Sequence, residues 1–236
     1  YVDATAKGSN DVFIFKIDST GGANGITWAT YYGGANADRP NGITVDASGN
    51  LVTVFGIPGT GFPLVNRTNA YNTTTGQNFI LQFNNYDTLW CTRFASSGLI
   101  NDMTNDGNGY IYAVGQATAN GNLPMYNALN GNYYDATATN DAFIVRFNSA
   151  DTVRWCTGFG GSGADYASAV IATTKGIYVA GYESSPDTTF PLIFSAGEYI
   201  DSVRFVSNPD AWIARFNISN NSEKYCTLWG GNGMEI

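Results

Sequence analysis

"DAFIVRFNSADTVRWCTGFGGSGADYASAVIATTKGIYVAG", residues 141–181, is the stretch whose reading decides the fold. Within it "GFGGSG" (158–163) fits G-x-G-x-x-G, two residues after Cys156. A dinucleotide loop of that pattern needs a strand before it, a helix opening within it and an acidic residue further on. Residues 164–181 read instead as a short β-branched strand, a Lys-Gly turn and a second strand, with no helix-start signal. One glycine pattern in a chain of 28 glycines is weak, so the useful test is whether the stretch recurs.

It does. "NDVFIFKID" (10–18), "QNFILQFN" (77–84), "NDAFIVRFN" (140–148) and "PDAWIARFN" (209–217) align on Phe13, Phe79, Phe143 and Trp212, at spacings of 66, 64 and 69 residues. Each is followed by a polar turn and a second element: "ITWATYYGG" (26–34), "TLWCTRFASS" (88–97), "VRWCTGFGG" (153–161) and "KYCTLWGG" (224–231). In three copies a hairpin signature comes next: "GITVDASGNLVTVFG" (42–56), "NDMTNDGNGYIYAVG" (101–115) and "SAVIATTKGIYVAG" (168–181). A connecting arm then closes the copy. Each copy reads as four short antiparallel strands, apolar on both faces and so in need of cover on each side. Stacked β-propeller blades provide that cover. The expectation is an all-β chain: a β-propeller of four-stranded antiparallel blades, with about three and a half blades of a larger ring present. Residues 1–9 read as the closing arm of a preceding blade. Blades are expected at 10–76, 77–139 and 140–208, with the first half of another at 209–236. Propellers close with about 4–8 blades, so the expectation is a piece of a longer polypeptide, with two copies completing a ring as the lesser alternative.

Composition agrees. Hydrophobic residues make up 44%, aromatics 14% and charged residues only 13%, a profile of strands and polar turns rather than helical bundles. A net charge of −8 with 11 basic residues disfavours nucleic acid and anionic lipid as partners. No apolar run approaches membrane-spanning length. The absence of histidine removes Ser-His-Asp and Cys-His catalysis and histidine-containing zinc sites.

The pattern D-A-F-[IV]-x-[KR]-[FL]-[ND], W-x-T-x-x-G-G, I-x-x-D-x-x-G-N-[LIV], G-x-x-x-x-x-x-F-P resembles the bacterial SBBP (seven-bladed β-propeller) repeat over nearly the whole chain. The second copy departs most: Ser96 and Ser97 replace the Gly pair, Asn78 the Asp, and Leu123-Pro124 the Phe-Pro. The resemblance implies an exported protein, typically a large cell-surface or secreted one, with the type IX export system as one route. It implies no enzyme activity.

Each candidate site has a plainer reading. Cys91, Cys156 and Cys226 recur at one place, behind Trp90, Trp155 and Tyr225, where the first copy has Ala29. Adjacent strand residues face opposite sides, so the aromatic should pack on one neighbouring blade and the cysteine on the other, too far apart to form disulfides. "DSTGGANGITW" (18–28) has faint likeness to quinone-cofactor propellers, but the other copies lack its turn; no cofactor is expected. "DASGN" (46–50) and "NDGNG" (105–109) concentrate oxygen donors, yet lack the spacing of an EF-hand and suit metal-free turns. Asp11, Asp141 and Asp210 recur and so should serve the blade. The unique acidic residues Glu183, Asp187 and Glu198 show no common grouping, as paired hydrolytic carboxylates would require. Asp-(Ser/Thr)-(aliphatic or Thr) resembles a bacterial O-glycosylation sequon and marks Ser19, Thr88, Thr152, Thr188 and Ser202, although Asp-Thr is also common turn chemistry. Asn66, Asn72, Asn217 and Asn220 begin Asn-x-Ser/Thr triplets.

The functional expectation is a non-catalytic structural or adhesive segment, extracellular or at the cell surface. Its partners would be glycans or surface proteins, the rest of its own polypeptide and an export apparatus, without membrane insertion. The competing class is an extracellular polysaccharide-active enzyme whose site lies on blades outside this chain.

Overall fold

A computed structural model describes residues 3–19, 25–95, 97–118, 122–128, 131–185, 189–202 and 209–231. Among these there are fourteen strands and no helix, and so no helix long and apolar enough to cross a membrane. The strands are β1 (Val12–Ile17), β2 (Ile26–Tyr32), β3 (Arg39–Val45), β4 (Leu51–Ile57), β5 (Asn78–Asn84), β6 (Asp87–Phe94) and β7 (Gly98–Asn105). They continue with β8 (Ile111–Ala117), β9 (Ala142–Phe147), β10 (Val153–Phe159), β11 (Asp165–Thr173), β12 (Gly176–Glu183), β13 (Asp210–Phe216) and β14 (Glu223–Trp229). They form a two-stranded sheet β1-β2 and three antiparallel four-stranded sheets: β3-β4-β5-β6, β7-β8-β9-β10 and β11-β12-β13-β14. These are blades of the β-propeller type, three complete and one half.

The sheets are out of phase with the sequence repeat. Residues 10–76 supply β1-β2 to one sheet and β3-β4 to the next, so each blade joins the hairpin of one copy to the first two strands of the following copy. The reason lies in the links. The short segment between β2 and β3 crosses from sheet to sheet, whereas the long arm between β4 and β5 returns to its own sheet along its outer edge.

The chain divides into two compact units, Tyr1–Thr68 with Asn72–Phe94, and Asn69–Tyr71 with Ala95–Ile236. In the first, Val12 and Ile14 of β1 pack against Phe79, Leu81 and Phe83 of β5. In the second, Ala142 and Ile144 of β9 pack in the same way against Trp212, Ala214 and Phe216 of β13. Period-2 alternation thus gives these strands an apolar row that packs on the neighbouring sheet of the same unit. Burying each large side chain stabilises by about 1.5–3 kcal/mol. The Phe of each Phe-Pro joins this core: Phe62 stacks on Phe79 at 4.4 Å, and Phe190 lies 5.7 Å from Trp212.

Each hairpin carries one bulge in its first strand, at Asn41, Asn101 and Ser168. Opposite the bulge stand Gly56, Gly115 and Gly181, each also facing the anchor aromatic of the central strand. A Cβ at Gly115 or Gly181 would run into the carbonyl oxygen of Leu99 or Tyr166 and crowd the ring of Phe143 or Trp212. The bend is open only to glycine.

Candidate functional site

The repeated tryptophan, cysteine and threonine all hold the arm. Val65, Tyr126 and Ile193 of the arms form two-way backbone bridges with Cys91, Cys156 and Cys226, at 2.6–3.3 Å. One residue on, the hydroxyls of Thr92, Thr157 and Thr227 accept the backbone N–H groups of Thr73, Asp135 and Asp201 at 2.9, 2.8 and 2.8 Å. Thr30 does the same for Asp3 at 2.9 Å. On the other side of the cysteine, the Trp90 indole N–H donates to Asn72 Oδ1 at 3.2 Å and that of Trp155 to the Tyr133 carbonyl at 2.8 Å. Where the fourth copy has tyrosine, the Tyr225 hydroxyl donates to the Tyr199 carbonyl at 2.7 Å. The arm therefore covers the outer edge of every complete sheet, an edge that would otherwise pair with foreign strands.

The cysteines are buried, as their repetition suggested. Burial pushes the Cys91 thiol up to about 12, against the weaker opposing pull of a Tyr32 hydrogen bond and the Arg93 charge. Burial alone raises Cys156. Such thiols are poor nucleophiles. Trp155 meets Phe216 of the neighbouring sheet edge-on at 5.4 Å.

The oxygen-rich turns engage their carboxylates locally. Asp46 Oδ1 accepts the N–H groups of Asn50 and Leu51 at 3.0 Å each, and Oδ2 accepts the Ser48 hydroxyl at 2.7 Å. Burial would raise this carboxyl, but those bonds outweigh it and hold it below the ordinary aspartate value. Asp106 Oδ1 accepts from Asn108 N at 2.8 Å and Tyr110 N at 3.1 Å.

The recurring aspartates meet a second set that reading the sequence missed. Asp38 and Asp165 lie five residues after the first glycine of the Gly-Gly turn in the first and third copies, a Gly-Gly-x-x-x-Asp signal visible in the sequence. Asp38 accepts the N–H groups of Gly34 (2.8 Å) and Gly59 (2.5 Å), tying the crossover to the end of β4. Asp165 accepts those of Gly161 (2.6 Å) and Ser184 (3.2 Å) and the Ser185 hydroxyl. Gly33 sits between Asp11 and Asp38, and Gly160 between Asp141 and Asp165, leaving no room for a Cβ. The second copy lacks this aspartate, and there Asn78 donates its amide to the Phe94 carbonyl at 3.2 Å. Asp141 is buried, with Oδ1 lacking a hydrogen-bond partner. Burial first, then the charges of Asp165 and Asp135, raise its carboxyl to about 7 despite the Thr139 N–H bond.

Glu183 is brought beside Asp165 and Asp210 by strand register, and all three are buried. Glu198 caps a local turn through Ser195 N at 2.7 Å, and Asp187 lies outside the described residues. Among the described residues no three His, Cys, Asp or Glu side chains converge to hold a metal.

Of the marked hydroxyls, Ser19 and Ser202 are exposed. Thr152 is half-buried and donates to the Asn69 carbonyl at 2.9 Å. The Thr88 hydroxyl is enclosed, and Thr188 lies outside the described residues.

The exposed apolar surface of the first unit gathers around β1. A cavity of about 240 Å³ is lined by Ile14, Phe15, Trp28, Ile43, Val45 and Tyr86 among others. A second, of about 440 Å³, lies between β1 and β3.

Against this geometry the family comparison is specific. The SBBP family model, described as a beta-propeller repeat, matches residues 27–52, from β2 through the β3–β4 turn. The matched segment holds Thr30, the Gly-Gly turn, Asp38 and Asp46, the residues that clasp the arm, make the crossover and shape the turn. No curated protein matches the chain. The chain carries a β-propeller repeat built as antiparallel blades.

Proposed function

We propose that this chain is a structural, contact-making β-propeller segment of an exported bacterial surface protein, and that it works by binding rather than by catalysis. The observation that carries this reading is the clasp. The residues that recur in the copies are engaged in holding each sheet to its own arm and crossover, so the exposed, non-repeating side chains are what remains for recognition. Tyr126 is the best placed of these. Its backbone is fixed to Cys156 in both directions, and the residue is 45% exposed. On the next arm Ile193 holds the equivalent bridge, and Phe194 beside it is exposed. An aromatic face held on a rigid edge, among many asparagines, suits stacking and amide hydrogen bonds to carbohydrate.

The test is binding of the chain to a panel of bacterial and host oligosaccharides. Retention of at least one class, weakened at least about fivefold by Tyr126→Ala, is expected from the loss of one stacking contact. Retention of none, or equal binding by the variant, refutes the glycan reading. Export, carriage by a type IX apparatus and sugar attachment are further parts of the proposal, supported by the repeat resemblance and the exposure of Ser19 and Ser202. Intact mass of the protein from its native source tests attachment: a mass equal to the bare chain refutes it. The enclosed Thr88 hydroxyl could be modified only before folding.

A further inference from the structure

The turn of the second hairpin carries chemistry that the other two hairpin turns lack. "NDGNG" (105–109) joins β7 to β8 and holds two pairs prone to cyclisation, Asp106-Gly107 and Asn108-Gly109. The corresponding turns "DASGN" and "TTKG" hold neither. In such a pair the backbone nitrogen of the glycine can attack the side-chain carbonyl carbon before it, because glycine has no side chain to shield that nitrogen. Asparagine is heat-labile in proteins through this reaction.

The structure separates the two pairs. The Asp106 carboxylate accepts the N–H groups of Asn108 at 2.8 Å and Tyr110 at 3.1 Å, and the Gly107 N–H donates to Asn105 Oδ1 at 3.0 Å. Both reacting groups of Asp106-Gly107 are therefore engaged. Asn108 is exposed at the tip of the turn, its side-chain nitrogen in a long 3.5 Å contact with the Asp106 carbonyl. Among the described residues the Gly109 N–H donates to no other group. Asn41-Gly42 is the internal contrast. It lies in the bulge of β3 opposite Phe55, and a Cβ on Gly42 would meet the Phe55 ring at 2.5 Å. Ladder and ring fix that peptide, so it cannot swing to close a five-membered ring without breaking the strand. Asn24, Asn120, Asn130 and Asn232 also precede glycine but lie outside the described residues.

We infer that Asn108 is a site of spontaneous deamidation in the folded protein, converting to aspartate and isoaspartate at the hairpin tip. Solvent base removes the Gly109 amide proton and the nitrogen bonds to Asn108 Cγ. The Cγ–Nδ2 bond breaks, and the nitrogen leaves with a proton as ammonia. Water then opens the five-membered imide at either carbonyl. One water enters, one ammonia leaves, and nothing is oxidised or reduced. The turn gains a negative charge beside Asp106. Isoaspartate also lengthens the main chain between Asp106 and the Tyr110 N–H that its carboxylate holds, so the tip loosens as the protein ages.

The test incubates the whole chain in mildly alkaline buffer and follows each asparagine by peptide mass spectrometry, with enzymatic methylation as the isoaspartate readout. Asn108 should convert at least about tenfold faster than Asn41 in the folded protein. Once urea has unfolded the chain, the two should convert at similar rates. In the converted fraction the Tyr110 amide should exchange faster than in fresh protein, and Asn108→Gln should show no such change on incubation. Equal rates in the folded protein, a difference that persists in urea, or an unchanged Tyr110 amide after conversion overturns the proposal. Amide protection in β5, β9 and β13 is followed alongside, so a site exposed by unfolding is not mistaken for one exposed by the fold.

Discussion

Thr157 offers the sharpest test of the clasp. It is fully buried, accepts the Asp135 N–H at 2.8 Å, and donates to the Gly158 carbonyl at 2.8 Å. Thr157→Val keeps the shape and deletes the hydroxyl. The half-buried Asp135 N–H then loses its acceptor, and an unsatisfied group of that kind costs about 1–3 kcal/mol. Thr157→Ser keeps the hydroxyl and loses one buried methyl, costing about 1 kcal/mol or less. The two variants therefore separate hydrogen bonding from packing. Urea unfolding gives the global change, and residue-resolved amide exchange gives its location. In Thr157→Val the Asp135 amide should exchange about tenfold faster or more, since each 1.4 kcal/mol is tenfold. The Gly158 N–H, held by the Asp135 carbonyl at 2.9 Å, should loosen with it. Equal destabilisation by Val and Ser, or an unchanged Asp135 amide in Thr157→Val, would refute the reasoning.

The same geometry has other consequences. The native thiols should resist a colorimetric disulfide reagent at pH 8 and all three should react in denaturant; rapid labelling of folded Cys91 or Cys156 contradicts their burial and raised ionisation. Asp141 has its ionisation raised to about 7 from an unfolded value near 3.8. The folded state therefore binds more protons than the unfolded chain between those values, and stability should fall as pH rises through that window. Asp141→Asn should remove about 1–2 kcal/mol of that fall, allowing for solvent screening, and superimposable profiles of melting temperature against pH for both proteins count against it. Glu223, raised to about 8 by burial, adds a decline of the same sign that extends somewhat higher. Gly115→Ala should destabilise by more than about 1 kcal/mol because its Cβ meets the Leu99 carbonyl; a neutral result in thermal unfolding means the bulge opposite is adaptable.

Much of the fold was legible because strands advertise themselves by period and turns by chemistry. The fourfold recurrence of Phe13, Phe79, Phe143 and Trp212 marked the central strands, and "DASGN" and "TTKG" marked hairpin turns that the structure contains. Cys156 was readable as buried because Ala29 stands in its place elsewhere. The phosphate-loop likeness of "GFGGSG" dissolved on the same ground: it is the end of β10 running into a turn capped by Asp165. The pairing of Asp141 with Asp165 was only half visible. Asp141 recurs in register with its strand, but Asp165 belongs to the next sheet, and the second copy has no aspartate at its place.

The sequence by itself determined the strand content, the four copies and the apolar rows of their strands, because alternation and turn residues are local properties of a chain. Only the tertiary structure decided which strands share a sheet, since that depends on whether a link crosses to a neighbour or returns along an edge. It decided that Trp, Cys and Thr of one motif all serve the arm, because hydrogen bonds between residues more than twenty apart leave no spacing to read.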